Sequence, residues 1–426
     1  MIARLDGRVI FVTGGIPGER VRLQIRNPSA KVWRGDVPEV LEPSPHRVTQ
    51  LCPAHQAGAG CCDWDYIDFA YALELKQAIV TDCLQRIGKF DGDQLPQISA
   101  ISLEPTAHWR TRMRLAVRDG VVGLRQERSH ELITRACRQN VEPLNQLLDA
   151  SAASPLQDAL TNASVTDVRA PAQLFAVYDA EEQLHVALVS GKGRKRRRQA
   201  IQGDLTTTHF SDGVRFSVPV DGFWQAHRGA TQFYSDRIQK LVPKLWQSAL
   251  RCDSAQDQAQ LPKAPKVAWD LYGGVGVFAV SLARVVGAKG EVWSVENHPQ
   301  AAQLGERATK NAYPQISFVT GEVARVLRQD GAGRAAGMGD KAADVVVLDP
   351  PRIGAGAEAI KAIAKRQPPV VIHIGCDPAT FARDAATWRE AGYQLVTLDV
   401  VDAFPGTSHV ETIGGFVQAG SDPVAG

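Results

Sequence analysis

The sequence has almost no excess of charge of either sign. Its 426 residues carry 48 Lys and Arg against 46 Asp and Glu, a net charge of +2. The total therefore announces no polyanionic partner, and only a local basic patch could serve one. No uncharged apolar run approaches membrane-spanning length, so no membrane association is expected. The opening Met1-Ile2-Ala3-Arg4-Leu5-Asp6 shows no secretory apolar region, and a cytoplasmic location is expected. An even cysteine framework is missing too: there are 7, and two of them are adjacent. Such a set points to metal-binding, catalytic or buried thiols rather than disulfides.

A chain this long exceeds one core, so two or three domains are expected. Residues 1–50 read as five or so short strands, a small OB-like β-barrel, with a basic face formed by Arg20, Arg22, Arg26 and Arg34. Residues 51–215 read as a central, mainly β domain. It opens on Cys52, Cys61 and Cys62 among glycines, and Cys137 could close a four-thiolate set. Side chains of neighbouring cysteines diverge, so loop and core cysteines without a metal are the competing reading. A helix is expected over 66–88, packing on the C-terminal domain, with Cys83 on its apolar stripe. Arg110, Arg112 and Arg114 fall on one face of a strand, and Lys192–Arg198 holds six bases unrelieved by acid. Together they favour RNA or DNA as partner.

From 216 to 418 the pattern is α/β and doubly wound. A helix runs to about Leu241, shortly before Pro243, and Ser248–Pro265, containing Cys252, reads as a flexible insertion. Val267–Tyr272 is a strand, Gly273-Gly274-Val275-Gly276 a glycine turn, and Glu291–Glu296 a strand ending in an acid. That spacing suits a nucleoside ligand whose ribose the acid accepts from, in either a dinucleotide or a nucleoside-methionine fold. Val345–Leu348 leads to Asp349-Pro350-Pro351-Arg352. Val370–Ile374 delivers Cys376 onto a turn marked by Gly375 and Pro378, and His409 and Glu411 follow, two apart and on one face if extended. A lone cysteine is usually small buried filler. Here three strand-end signals converge where α/β folds bind ligands, which favours a nucleophile. Gly331–Gly339 reads as a surface loop and 419–426 as a disordered tail.

With these blocks in order, the chain resembles the TRAM-domain, S-adenosylmethionine-dependent RNA (uracil-5-)-methyltransferases of ribosomal and transfer RNA. The resemblance rests on Ile16–Val21, Phe223-Trp224-Gln225, Asp270–Gly276, Leu348–Arg352, Gly375–Thr380 and Phe404–Glu411, and spans nearly the whole chain. It implies a Rossmann-like C-terminal methyltransferase domain and methyl transfer to C5 of a uridine, in ribosomal more than transfer RNA, through a covalent cysteine–C6 adduct. Cys376 would be the nucleophile, Glu411 the general base and His409 its orienter or a pocket wall. A free thiol titrates near 8.5, so Arg352 or nearby amides should favour the thiolate. The S-adenosylmethionine site would include Gln225, Tyr272, Gly274, Gly276, Glu296, Glu322 and Asp349. Several relatives hold a 4Fe–4S cluster; Cys52, Cys62 and Cys137 fit three of its places, while Ala59 occupies the fourth and Cys61 stands two residues late. Either Cys61 substitutes, or the cluster is incomplete or lost. A monomer is expected. The competing readings are an RNA-binding or RNA-folding protein with an inactive domain, and a nicotinamide-dependent oxidoreductase, which would leave Asp349-Pro350-Pro351 and Cys376 unexplained.

Overall fold

The computed structural model describes residues 1–148, 155–165, 168, 172–191, 193–250, 262–328, 338 and 342–419. Most of the expected insertion with Cys252, most of the Gly331–Gly339 loop, nearly all of the tail and Lys192 lie outside the described residues. The N-terminal unit has four strands, not five: β1 (Ile2–Leu5), β2 (Arg8–Thr13), β3 (Arg20–Ile25) and β4 (Trp33–Glu42). They form one sheet in the order β1-β2-β4-β3. Its basic face is largely answered from within. Arg20 reaches Glu42 at 2.9 Å, Arg22 reaches Glu39 at 2.9 Å, and Arg26 Nε donates to Asp36 at 2.6 Å. Of the four arginines expected on that face, Arg34 is exposed and the other three are paired. Cross-strand partners on β4 were invisible in a linear reading of β3.

β5 (Ile98–Ser102) comes next, then a six-stranded central sheet. It comprises β6 (Arg112–Arg118), β7 (Val121–Arg125), β8 (Leu132–Ile133), β9 (Gln173–Tyr178), β10 (Leu184–Ser190) and β11 (Arg197–Gln202), ordered β11-β10-β9-β6-β7-β8. Met113, Leu115 and Val117 alternate inward from β6 onto one core. The opposite face is not the open arginine strip that alternation suggests. Arg112 donates to the carbonyls of Val220 and Gly222 at 3.2 and 2.8 Å, and burial pulls its pKa down to about 10. Arg110 lies over Trp109 at 4.8 Å and donates to Gln139 at 3.1 Å; Arg114 stays exposed over Phe175. The basic loop is relieved by an acid distant in sequence: Arg196 and Arg198 both pair with Asp221, Arg198 at 2.7 Å.

A hairpin of β12 (Thr206–Ser211) and β13 (Val214–Pro219) leads to the helix Ala230–Ala249. That helix runs straight through Pro243. A proline inside a helix costs about 3 kcal/mol, but Pro243 lies on the exposed side, while Leu241, Val242, Leu245 and Trp246 are buried. Their burial, at about 1.5–3 kcal/mol per large side chain, outweighs it.

The C-terminal sheet contains β14 (Val267–Leu271), β15 (Glu291–Glu296), β16 (Ile316–Thr320), β17 (Val345–Leu348), β18 (Val370–Gly375), β19 (Tyr393–Asp402) and β20 (Glu411–Gln418). Its order is β16-β15-β14-β17-β18-β20-β19-β5. β20 is antiparallel to both neighbours, and β5 is an edge strand parallel to β19. Thus β5, inside the expected central domain, belongs to this sheet. Residues alternate between two cores: Val345 and Val347 face the helices Ala230–Ala249 and Val277–Val286, whereas Val346 and Leu348 face Phe381, Trp388 and Val80. Val80 belongs to the helix Phe69–Arg86, capped by Asp68, whose carboxylate accepts from Ala70 and Tyr71 at 3.1 Å.

That helix is also fastened by charge. Lys76, 0% exposed, donates to Asp402, 1% exposed, at 2.6 Å. Burial lowers the pKa of Lys76 and raises that of Asp402, each opposed by the partner. Lys76→Met is expected to cost about 3–5 kcal/mol at pH 8, where a carboxylate is left buried and unpaired. The loss should shrink at pH 5, because the orphaned Asp402, its folded pKa above its unfolded one, then takes a proton. Urea unfolding at both pH values measures this, and an equal loss at both would contradict it.

Candidate active site

The first strand end forms a cradle. Asp270 sits at the switch point of the sheet, between β15 and β17. Its Oδ2 accepts from Ser294 Oγ at 2.9 Å and Ala279 N at 3.1 Å, while the buried Oδ1 has no protein partner. Burial pushes its pKa up to about 7. Tyr272 is held at φ 62, a left-handed backbone that is strained for a non-glycine residue. Gly274 N donates to Glu296 Oε2 at 2.9 Å, and His298 N donates to Oε1 at 2.5 Å, so the acid is locked beneath the turn. A Cβ on Gly273 would strike Ser294 Oγ at 2.1 Å, whereas one on Gly274 would meet nothing within 4 Å. The turn is therefore closed on its sheet side and open on the other. Gln225 is half-buried, two residues after Phe223, which is 73% exposed. Glu322, like Glu296, has both oxygens taken by backbone amides. Both its oxygens cap the helix Val323–Arg328, accepting from Ala324 N at 3.0 Å and Arg325 N at 2.8 Å.

Three further groups meet at the same edge because of register. Leu271 pairs with Leu348, and Leu348 with His373, so Asp349 emerges beside the ends of β14 and β18. Gly375 pairs with Thr412 on β20, which runs the other way. Cys376, one residue past the end of β18, and Glu411, the first residue of β20, are thereby brought to one side of the sheet. Gly375 is required: a Cβ there would sit 2.9 Å from the Phe381 ring and 3.0 Å from Thr412 Oγ1. The Asp349-Pro350-Pro351-Arg352 turn is tied down beyond it, where Thr380 Oγ1 donates to the Arg352 carbonyl at 3.1 Å.

The electrostatics are not those expected of a preformed thiolate. Burial, then Glu411 and Asp349, push the Cys376 thiol up to about 11, and Arg352 only partly opposes them. Burial, then Asp349, holds Glu411 well above the usual carboxyl range, and burial raises Asp349 to about 7. Arg352 does favour the thiolate, as expected, but in the ligand-free site burial and the two carboxyls outweigh it. Tyr234 also belongs here and escaped the sequence reading. Its hydroxyl is buried without a partner, and its pKa is raised by burial, then Glu411, Asp349 and Cys376. The only signal was a tyrosine on a helix stripe that otherwise buries Ala230, Ile238 and Leu245.

His409 does not share a strand with Glu411, since β20 starts only at Glu411. Its amide donates to Thr407 Oγ1 at 3.2 Å and its ring meets Phe404 edge-on at 5.9 Å. Burial, then Arg352, lowers its pKa. It fits the pocket wall better than the orienter. Residues 404–409 are gripped from outside the sheet. Trp64 N donates to Gly406 O, and Ser408 N to Asp63 Oδ1, both at 3.1 Å, while Trp109 abuts Phe404 at 6.0 Å. A cleft of about 770 Å³ runs between this loop and the N-terminal and central sheets, lined by Gly14, Arg47, Arg110, Arg114, Cys61 and His409.

The sulfurs of Cys52, Cys61, Cys62 and Cys137 lie within 4.8 Å of one another. The adjacent Cys61 and Cys62 converge rather than diverge, in a turn that follows Gly58 at φ 98. No helix among the described residues is long and apolar enough to cross a membrane.

No family model matches the chain. A protein of Corynebacterium glutamicum named as an uncharacterized RNA methyltransferase is 39% identical, covering 98% of this chain and 93% of its own. One of Corynebacterium diphtheriae with the same designation is 37% identical over 97% and 92%, and one of Streptomyces coelicolor 30% over 96% and 87%. Among solved structures, the tRNA (uracil-54, C5)-methyltransferase of Pyrococcus abyssi, in complex with S-adenosyl-L-homocysteine, superposes with a TM-score of 0.67 at 18% identity, over 97% of this chain and 96% of that one. That likeness is one of fold.

Proposed function

Since the chain belongs to the RNA methyltransferases represented by these relatives, we propose that it methylates C5 of a uridine in a structured ribosomal or transfer RNA. The observation that carries this reading is the register that sets Cys376 and Glu411 side by side across β18 and β20. Uracil C5 is a poor nucleophile, and a thiolate at C6 with a base near C5 is the pairing that overcomes this.

The cradle fits S-adenosylmethionine. Gly274 opens onto free space, Glu296 stands at the second strand end for ribose hydroxyls, and Asp270 Oδ1 and Gln225 offer polar atoms around it. When bound, S-adenosylmethionine supplies a methyl group activated as a cationic sulfonium. The protein residues do the rest. Cys376 loses its proton to solvent and its sulfur bonds to C6, placing the displaced electron pair on the C4–C5 enolate. After C5 has taken the methyl group, Glu411 removes the C5 proton, the sulfur–C6 bond breaks, and the 5,6 double bond returns. The raised pKa of Glu411 makes its carboxylate a strong base once ionised. Tyr234, against the same groups, can donate to the uracil or to Glu411. The target must leave its stack to enter, and the exposed ring of Phe223 offers it a surface.

The test is to map 5-methyluridine in ribosomal and transfer RNA from a strain lacking the gene, with restoration by the intact gene. A single lost position identifies the substrate; an unchanged 5-methyluridine map refutes the reading.

A further inference from the structure

A four-iron cluster takes one thiolate per iron at separate corners, which sets its ligand sulfurs on the order of 6 Å apart. The sulfurs here are much closer. Cys52 to Cys61 is 3.7 Å, Cys52 to Cys137 3.9 Å and Cys62 to Cys137 3.8 Å, and the whole set lies within 4.8 Å. Four sulfurs arranged tetrahedrally at about 2.3 Å from one ion are about 3.8 Å apart. The three shortest match the second arrangement, and no pair in the set reaches the first.

The backbone argues the same way. The place where a cluster-binding relative would carry its second cysteine is Ala59, which is buried and bridged to Gln126, with Glu127 N donating to Gly58 O at 2.9 Å. That position is pinned by the central sheet and offers only a methyl group. Cys61 comes into the set instead, its sulfur 3.7 Å from that of Cys52.

We propose that Cys52, Cys61, Cys62 and Cys137 bind a single tetrahedral divalent ion, zinc, and not a 4Fe–4S cluster. Four thiolates around a divalent ion carry a net charge of −2, and the surroundings answer it. Arg138 N points at Cys52 Sγ at 3.4 Å, and the Arg110 guanidinium, beside Trp109, feels Cys137, Cys62 and Cys61. Such amide and cationic partners stabilise metal thiolates. The ion would act as a structural staple rather than a reactant. It ties the 52–62 loop to Cys137, and the next two residues, Asp63 and Trp64, hold Ser408 and Gly406 just ahead of Glu411.

The test uses full-length protein produced with both iron and zinc supplied and purified without oxygen. Metal analysis should give one zinc per chain with no acid-labile sulfide. Cobalt exchanged into the protein should show the visible bands of a tetrahedral tetrathiolate site. About four irons with matching sulfide per chain, or no ion bound by the reduced protein, would overturn the proposal. Cys61→Ser, measured by competition with a chromophoric zinc chelator, should weaken binding by more than the 10–100-fold typical of losing an outer partner. Unchanged zinc affinity would remove Cys61 from the site. Because metal content is read without any methylation assay, these outcomes stand apart from the fate of the uridine reading.

Discussion

Cys376→Ala is expected to lower methyl transfer to RNA by at least about 10⁴-fold while leaving RNA binding and folding nearly intact. The side chain is half-buried and loses one sulfur atom, so its removal should cost stability no more than about 1 kcal/mol. The catalytic loss is large because no neighbour can replace it: Glu411 and Asp349 share the pocket, but neither is a comparable nucleophile towards C6. The same site predicts a second behaviour. With its pKa pushed up to about 11, the ligand-free thiol should alkylate slowly at pH 7, about tenfold faster per pH unit through the neutral range. Addition of a cationic methyl-donor analogue should speed it, as positive charge offsets the two carboxyls. Methyl transfer by Cys376→Ala within tenfold of the unaltered protein would sink the covalent route.

Glu411→Gln is expected to stall the reaction after methyl transfer, leaving protein and RNA joined through Cys376 in a complex that survives denaturing electrophoresis. The amide matches the acid in shape, so the buried site should keep its packing, but it cannot take the C5 proton. Turnover should fall about 10²–10⁴-fold. The adduct should vanish in the double variant with Cys376→Ala, which distinguishes it from tight binding. A pH signature follows from the direction of the shift. Burial and Asp349 favour the protonated acid, so the unaltered protein should lose turnover as pH falls through the raised Glu411 pKa, where the base is neutralised. Formation of the adduct by the Gln variant should lack that limb and keep only the fall set by the Cys376 thiol. Free turnover by Glu411→Gln, with no accumulated adduct, would reassign the base.

The parts of the fold legible in the sequence are those set by local periodicity. β15 and β18 were bounded by their apolar runs and by the acid or glycine ending them, and the helix Phe69–Arg86 by its stripe and by Gly88. Of the site, the strand-end residues Asp349, Cys376 and Glu411 were legible because α/β topology forces them together. Tyr234 was not, since a buried hydroxyl acquires meaning only from the strand ends above it. The arginine readings were incomplete for one reason. A charge run shows its own residues and hides the partners that folding brings, here Asp36, Glu39, Glu42 and Asp221. Pro243 misled in the opposite sense, because a local penalty was set against four buried side chains that no window of sequence could weigh.

Because β20 runs against β18, the carboxyl of Glu411 is indexed to the sulfur by peptide ladder bonds rather than by the length of the preceding segment. A slip of one residue would turn the acid to the opposite face of the sheet. The stretch between β19 and β20 is freed from that duty. Held at Gly406 and Ser408 by Trp64 and Asp63, it forms part of the cleft wall while β18 and β20 keep the sulfur and the carboxyl in step.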